Sequence, residues 1–246
     1  MAAAADPSAK GAAVRRMFGR IAGRYDLMNR LMTFGRDQAW RRFVVRKAAP
    51  PPAGRLLDVA TGTGRIAAEA SRRFPRLSVA ACDFSLEMMA RGRTRQGSSG
   101  LLWCCGDGLA LPFADAVFDA VTSGFLVRNV ADPLAAFREQ VRVLRPGGRL
   151  VCLDTSPPPP GWRRPLVRFQ LSTVIPMVGR WVTGDAEAYR YLPESTLAFR
   201  SPRALADLME SAGLEKVAYR TFMLDTIVVL YGRKPAVRVP PAGRRG

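Results

Sequence analysis

The sequence predicts an α/β fold: a Rossmann-like, seven-stranded, mostly parallel sheet with helices on both faces, entered through an N-terminal helical cap. Three observations predict it. From residue 55 onward, short apolar runs alternate with segments of helical period, the pattern of βαβ units. The first of those runs ends in a glycine loop, Gly62 and Gly64, placed just before a helix start. The chain has 246 residues and is 48% apolar, which suits one domain with a sizeable core, and no run of about eighteen uncharged apolar residues occurs.

Each element follows from its local pattern. Val14, Met17, Phe18 and Ile21 fall at helical spacing, and a second helical stretch carries Trp40, Phe43 and Val44. These form the cap, residues 14–50, preceded by a tail at 1–13 that is expected to be disordered and lacks the apolar core of a secretory signal. The proline-rich stretch at 49–54 breaks the chain. Strand 55–60, helix 65–74, strand 77–82, helix 86–96, strand 101–106 and strand 117–124 come next. Asp132 and Pro133 cap and start a helix whose stripe is Leu134, Phe137, Val141 and Leu144. Pro146-Gly147-Gly148 turns the chain into strand 149–154, and the prolines at 157–160 open an irregular, helix-compatible region reaching Arg200. Ser201-Pro202 starts a helix closed by Gly213, strands 217–221 and 226–231 finish the sheet, and a Pro-, Gly- and Arg-rich tail fills 235–246. One domain, 14–234, is expected.

Charge and residue inventory narrow the chemistry. There are 38 Lys+Arg against 20 Asp+Glu, a formal charge of +18. That balance fits nucleic acid, an anionic membrane surface, or an arginine-rich compositional habit. No dense basic tract with interleaved aromatics occurs, which disfavours nucleic acid. Cys82, Cys104, Cys105 and Cys152 form no CxxC pair and read as reduced core residues of a cytoplasmic protein; no metal is expected. The chain contains no histidine, so a general base must be Asp, Glu, Tyr, Lys, Cys or water.

The glycine loop is the centre of the functional reading. Asp58 precedes Gly62, Thr63 and Gly64, Asp83 follows at the end of the next strand, and Asp107-Gly108 follows the third. Gly62, Gly64, Ala67 and Asp83 also satisfy the dinucleotide fingerprint, a weak pattern alone. Three features favour S-adenosylmethionine (SAM) instead: a carboxylate before the glycines that suits a cationic amino group, Asp107 placed for an adenine amino group, and the cap ahead of the fingerprint. Asp83 then suits the ribose hydroxyls.

The blocks Tyr25-Asp26-Leu27-Met28-Asn29, Ala110-Leu111-Pro112-Phe113, Val127-Arg128-Asn129-Val130, Leu144-Arg145-Pro146-Gly147-Gly148 and Tyr189-Arg190-Tyr191-Leu192, with the glycine loop, resemble the UbiE/MenG family of class I SAM-dependent methyltransferases. The resemblance runs from about Val14 to Lys234. It implies C-methylation of a prenylated quinol ring in ubiquinone or menaquinone biosynthesis, with Thr63 and Asp83 at SAM-contacting positions. Gly124 stands where members carry a contacting serine, which leaves that contact missing or moved to Ser123. Gln38 stands where members carry a basic residue, and the family's C-terminal histidine is absent near Tyr231. These departures bear on the acceptor.

A ring carbon becomes nucleophilic when a neighbouring hydroxyl loses its proton, so that proton must be taken or the phenolate stabilised. Arg128 with Asn129, just beyond the fourth strand, are candidates for this, with Asp154 and Tyr25; Arg128 pairing with Asp132 is the bland alternative. The segment 162–200 mixes Leu166, Val167, Phe169, Leu171, Val174, Ile175, Met177 and Trp181 with Arg163, Arg164, Arg168 and Arg180. It reads either as a prenyl-tail groove facing a membrane surface or as a lid or homodimer interface over the sheet. Other readings remain open: methylation of another small aromatic acceptor, a non-catalytic SAM-binding scaffold, or a nucleic-acid methyltransferase, although the Asp/Asn-Pro-Pro-aromatic motif is absent after strand four.

Overall fold

The computed structural model describes residues 7–95, 97–158, 160–162, 164–174, 176–177, 191 and 195–236. Seven strands form one sheet in the order β3-β2-β1-β4-β5-β7-β6. They are β1 (Arg55–Val59), β2 (Ser78–Asp83), β3 (Leu101–Cys105), β4 (Phe118–Gly124), β5 (Leu144–Thr155), β6 (Glu215–Phe222) and β7 (Ile227–Arg233). β1 to β5 run parallel, while β7 is antiparallel to both of its neighbours. The helices are α1 (Pro7–Ile21), α2 (Tyr25–Met32), α3 (Asp37–Ala48), α4 (Arg65–Arg73), α5 (Leu86–Arg93), α6 (Pro133–Val143), α7 (Arg164–Phe169) and α8 (Pro202–Ser211). None of the described helices is long and apolar enough to cross a membrane.

Alternation along the strands divides the core into two layers. Leu57, Val121, Leu150 and Cys152 point to one face and pack with Phe137 and Val141 of α6 and Leu205 and Met209 of α8. Leu56, Ala120, Val151 and Leu153 point to the other and pack with Trp40, Phe43 and Val44 of α3 and Ile66 and Ala70 of α4. Both faces are covered, which is why these strands read as near-continuous apolar runs. A third, small cluster of Met17, Ile21 and Met28, with Tyr25, Met32 and Tyr191 against it, holds the cap together.

The helix signals act as the sequence indicates. The Asp132 carboxylate accepts from the amides of Leu134 and Ala135, with Pro133 in the first turn. Ser201 accepts from Ala204 N–H, and Gly213 adopts φ +96° just past the end of α8.

Three expectations are corrected. Residues 7–13 are the first turns of α1, not a disordered tail. That stretch is rich in Ala and lacks apolar periodicity, so the helix shows in propensity and not in pattern. β5 begins at Leu144 and carries Pro146-Gly147-Gly148 within it as an irregularity, the register with β4 jumping between Phe118 and Ala120. Cys82 and Cys152 are buried as expected, whereas Cys105 is exposed, because it is the last residue of its strand. Arg163, Ile175, Arg180, Trp181, Tyr189, Arg190 and Leu192 lie outside the described residues, as do 1–6 and 237–246.

Phe137 is among the largest fully buried side chains and fills the space between α6 and the sheet. Phe137→Ala is expected to lower stability by about 3–5 kcal/mol, measured by urea unfolding. A loss under about 1 kcal/mol would mean that the layer repacks around the void.

Candidate active site

The winding of the sheet reverses between β1 and β4, so the loops beyond their carboxyl ends diverge and leave a crevice. That crevice is a cleft of about 550 Å³ lined by Ala60, Gly62, Asp83, Met88, Asp107, Gly108, Gly124 and Leu126, and roofed by Val14, Arg15, Phe18 and Tyr25 of the cap. Gly62 adopts φ +57° and Gly64 φ +73°, conformations that favour glycine. A Cβ on Gly64 would meet the Trp103 indole at 2.7 Å, so this glycine serves close helix–strand packing; it does not line the cleft.

The acidic residues are placed at successive strand ends. Asp83 accepts from Gly62 N–H at 2.7 Å and Ser85 N–H at 2.8 Å, while burial pushes its carboxyl upward. Each oxygen retains a further lone pair for a ligand hydroxyl. The Asp107 carboxylate accepts from Leu109 N–H at 2.9 Å at the opposite rim. Asp58 lies deeper, facing a side recess that shares Ala60, Gly62, Gly124, Phe125 and Tyr25 with the rest of the site. It accepts hydroxyl bonds from Thr61 at 2.6 Å and Thr122 at 2.7 Å, and burial nevertheless raises it to about 6. Thr63 opens on the same recess and donates to Asp26 at 3.0 Å.

Besides Gly64, two sequence-predicted residues do not line the cleft. Ser123 is fully buried beside Cys152, its register partner in β5, because alternation turns it inward one residue before the strand ends. The hydroxyl contact missing at Gly124 has therefore not moved there. Asp154 is fully buried as well and lines neither large cavity. Its oxygens accept from Arg128 N–H at 3.2 Å and Thr155 N–H at 2.8 Å, and one lies 3.5 Å from Arg128 Nε. Asp154 is a positioning group for Arg128, and Asp132 is left to cap α6.

A second, mostly apolar cavity adjoins the cleft. Phe18, Tyr25 and Phe125 line both spaces and form the wall between them. Arg128 and Asn129 face opposite sides of that wall: Arg128 lines the apolar cavity and Asn129 the cleft. The Arg128 guanidinium is over the Phe125 ring at 5.3 Å, and its Nε and Nη1 are buried without a hydrogen-bond partner. Asn129 donates to Phe125 O at 2.6 Å and accepts from Tyr191 Oη at 3.1 Å. Such a guanidinium can hold one oxyanion inside an otherwise apolar space.

Sequence reasoning missed the far walls of this cavity: Met17, Met32, Trp40, Thr155, Met223 and Ile227. They come from elements distant in sequence, and only Trp40 carried any signal. It also missed Asp26, which accepts from Thr63 and from Arg65 Nε at 2.9 Å and pairs with Arg95, locking the cap to the glycine loop.

A parallel sheet with this reversal, a glycine loop and carboxylates at the ends of β1, β2 and β3 defines a class I SAM-dependent methyltransferase. The cleft has the donors and acceptors such a cofactor needs: Gly62, Asp83, Asp107 and Gly108 line it, and Asp58 and Thr63 line the recess beside it. The chain belongs to the ubiE/COQ5 methyltransferase family, whose model matches residues 7–234. It is 50% identical over 225 residues, 92% of each chain, to the ubiquinone/menaquinone biosynthesis C-methyltransferase UbiE of Desulfotalea psychrophila. It is 43% identical over 232 residues, 93% of this chain and 96% of the relative, to the demethylmenaquinone methyltransferase of Roseiflexus castenholzii. Among solved structures, a SAM-dependent methyltransferase from Thermotoga maritima, described as a possible histamine N-methyltransferase, shares the fold. Its TM-score is 0.63 at 20% identity, covering 89% of this chain and 99% of that one.

Asp58 couples the fold to its ligand. An acid raised to about 6 from 3.8 leaves the folded protein with the extra proton between those values. Stability therefore falls as pH rises through that window and is level above it. Asp58→Asn is expected to raise stability at pH 7 by up to about 3 kcal/mol while weakening SAM binding. In the wild type, calorimetry should show SAM affinity falling about tenfold per pH unit below 6. A profile unchanged by Asp58→Asn would remove the carboxylate from the ammonium site.

Proposed function

We propose that the protein C-methylates the ring of a prenylated quinol, a demethylmenaquinol or a ubiquinone precursor. One observation carries this reading: the cofactor cleft shares a wall with an apolar cavity lined by Arg128, whose buried guanidinium pairs through Nε with Asp154 and keeps Nη1 without a hydrogen-bond partner. The names of the relatives favour the same acceptor class.

Bound SAM supplies an electrophilic methyl group on a sulfonium. The chain's own residues position the acceptor and manage its charge. The apolar walls take up the ring and the start of its tail and exclude water, which strengthens every polar contact inside. As the ring hydroxyl gives its proton to a water molecule, Arg128 stabilises the phenolate left behind, raising electron density at the adjacent carbon. Asp154 fixes the guanidinium from behind. Tyr25, at the dividing wall, bears on the approach of the two reactants, and Asn129 with Tyr191 ties the segment beyond β5 to the site. The polyisoprenoid tail keeps such an acceptor in a membrane, so the enzyme meets it at the bilayer surface.

The test is incubation with labelled SAM and extracted demethylated quinols, with the product read by mass; no labelled quinol would sink the assignment. Arg128→Ala is expected to lower kcat by about 10²–10³ while SAM affinity stays within twofold. Full turnover in that variant would remove Arg128 from the chemistry.

A further inference from the structure

Among the described residues, nothing covers the outer face of α2 at Leu27 and Leu31, which are i and i+4 on the helix and 52% and 44% exposed; Phe34, in the left-handed turn just past the helix end, is 80% exposed beside them. The opposite face, Tyr25, Asn29 and Met32, lines the acceptor cavity. Across the cavity, the hairpin between β6 and β7 turns through Met223, Leu224 and Asp225, all at positive φ. It places Met223 on the cavity wall and Leu224 outside, 47% exposed.

The charge exposed around this rim is mostly positive. Arg30, Arg36 and Arg220 are exposed beside it. The two nearby acids on the cap are turned inward: Asp26 holds Thr63, Arg65 and Arg95, and Asp37 holds Arg41. Asp225 is the exposed acid at the hairpin tip. Apolar side chains at the level of basic ones are what an anionic lipid surface accepts.

We infer that Leu27, Leu31, Phe34 and Leu224, framed by Arg30 and Arg36, dock the enzyme on an anionic bilayer with the acceptor cavity facing the lipid. The inference deepens the quinol reading and rests on it for its purpose. With the outer face of α2 seated at the headgroups, the cavity lies one helix diameter, about 10 Å, from the bilayer. A lipid tail then enters between α2 and the hairpin without crossing bulk water. The docking element inferred is the cap helix with the turn that follows it.

Flotation with vesicles of phosphatidylglycerol and phosphatidylcholine, and with phosphatidylcholine alone, tests this. The wild type is expected to partition at least tenfold more strongly onto the anionic vesicles. The double variant L31S/F34S should lose at least tenfold of that partitioning, with unchanged melting temperature and SAM affinity. R30Q/R36Q should lose the preference for anionic lipid. Methyl transfer to a short-tailed, water-soluble quinol should survive in L31S/F34S, while transfer to a long-tailed quinol in vesicles falls. If the serine variant melts early, F34W provides a second reading: its emission shifts to the blue on adding anionic vesicles. The inference is overturned by a folded L31S/F34S that floats like the wild type, by an F34W emission that does not move, or by a wild type that floats with neither vesicle. It is equally overturned if R164Q/R168Q alone abolishes flotation, or if the stripe mediates a concentration-dependent dimer in sedimentation. Flotation that behaves as expected in an enzyme that methylates no quinol supports the docking surface and removes the acceptor assignment instead.

Discussion

The reversal of winding between β1 and β4 is the constraint from which the site follows. Right-handed crossovers through α4 and α5 carry the chain outward from β1 to β2 and β3, and the return to β4 must then start on the other side of β1. The loops leaving β1 and β4 part in opposite directions, and no side chain of the sheet can fill the gap between them. The cleft there is lined by Ala60 and Gly62 after β1 and Gly124 at the end of β4, and by Asp83 and Asp107 from the ends of β2 and β3 beside them.

Around that gap the protein holds buried carboxylates at a cost. Asp58, Asp83 and Asp154 are each raised by burial, and each is held by donors: two hydroxyls for Asp58, two backbone amides for Asp83, and two amides with a guanidinium for Asp154. The pattern is one of preorganisation: the polar groups are fixed before a ligand arrives, so less reorganisation is needed when charge moves. The apolar cavity next door is the complement, a space where one guanidinium counts for more than it would in water.

The cap unites the two spaces. Phe18 and Tyr25 wall both, Met28 anchors the cap in a core of its own, and Asp26 ties it to Thr63 and Arg65 at the glycine loop. The cap thus touches both the glycine loop and the wall of the apolar cavity, with α2 as the shared element.

How much of this was legible in the sequence depends on the range of the interaction concerned. The strands, the helix caps at Asp132 and Ser201, the glycine loop and the acids at strand ends rest on local rules, turn chemistry and periodicity, so the fold and the cofactor cleft could be read directly from residues. Propensity without periodicity hid the start of α1 at Pro7, and Ser123 was misread because alternation at the last residues of β4 depends on where the strand stops. The apolar cavity was not legible at all. Its walls come from α1, α2, α3, β7 and the loops after β4 and β5, brought together by packing across distances in sequence that no local pattern encodes. The same holds for Asp154: its sequence position made it a catalytic candidate, whereas its burial behind Arg128, a consequence of β5 lying between β4 and β7, made it a support. The sequence by itself determined the elements and the cofactor's carboxylates, because neighbours along the chain set them. Only the tertiary structure decided what faces the second cavity and which side of α2 is left bare, because those depend on which surfaces the packed core has already consumed.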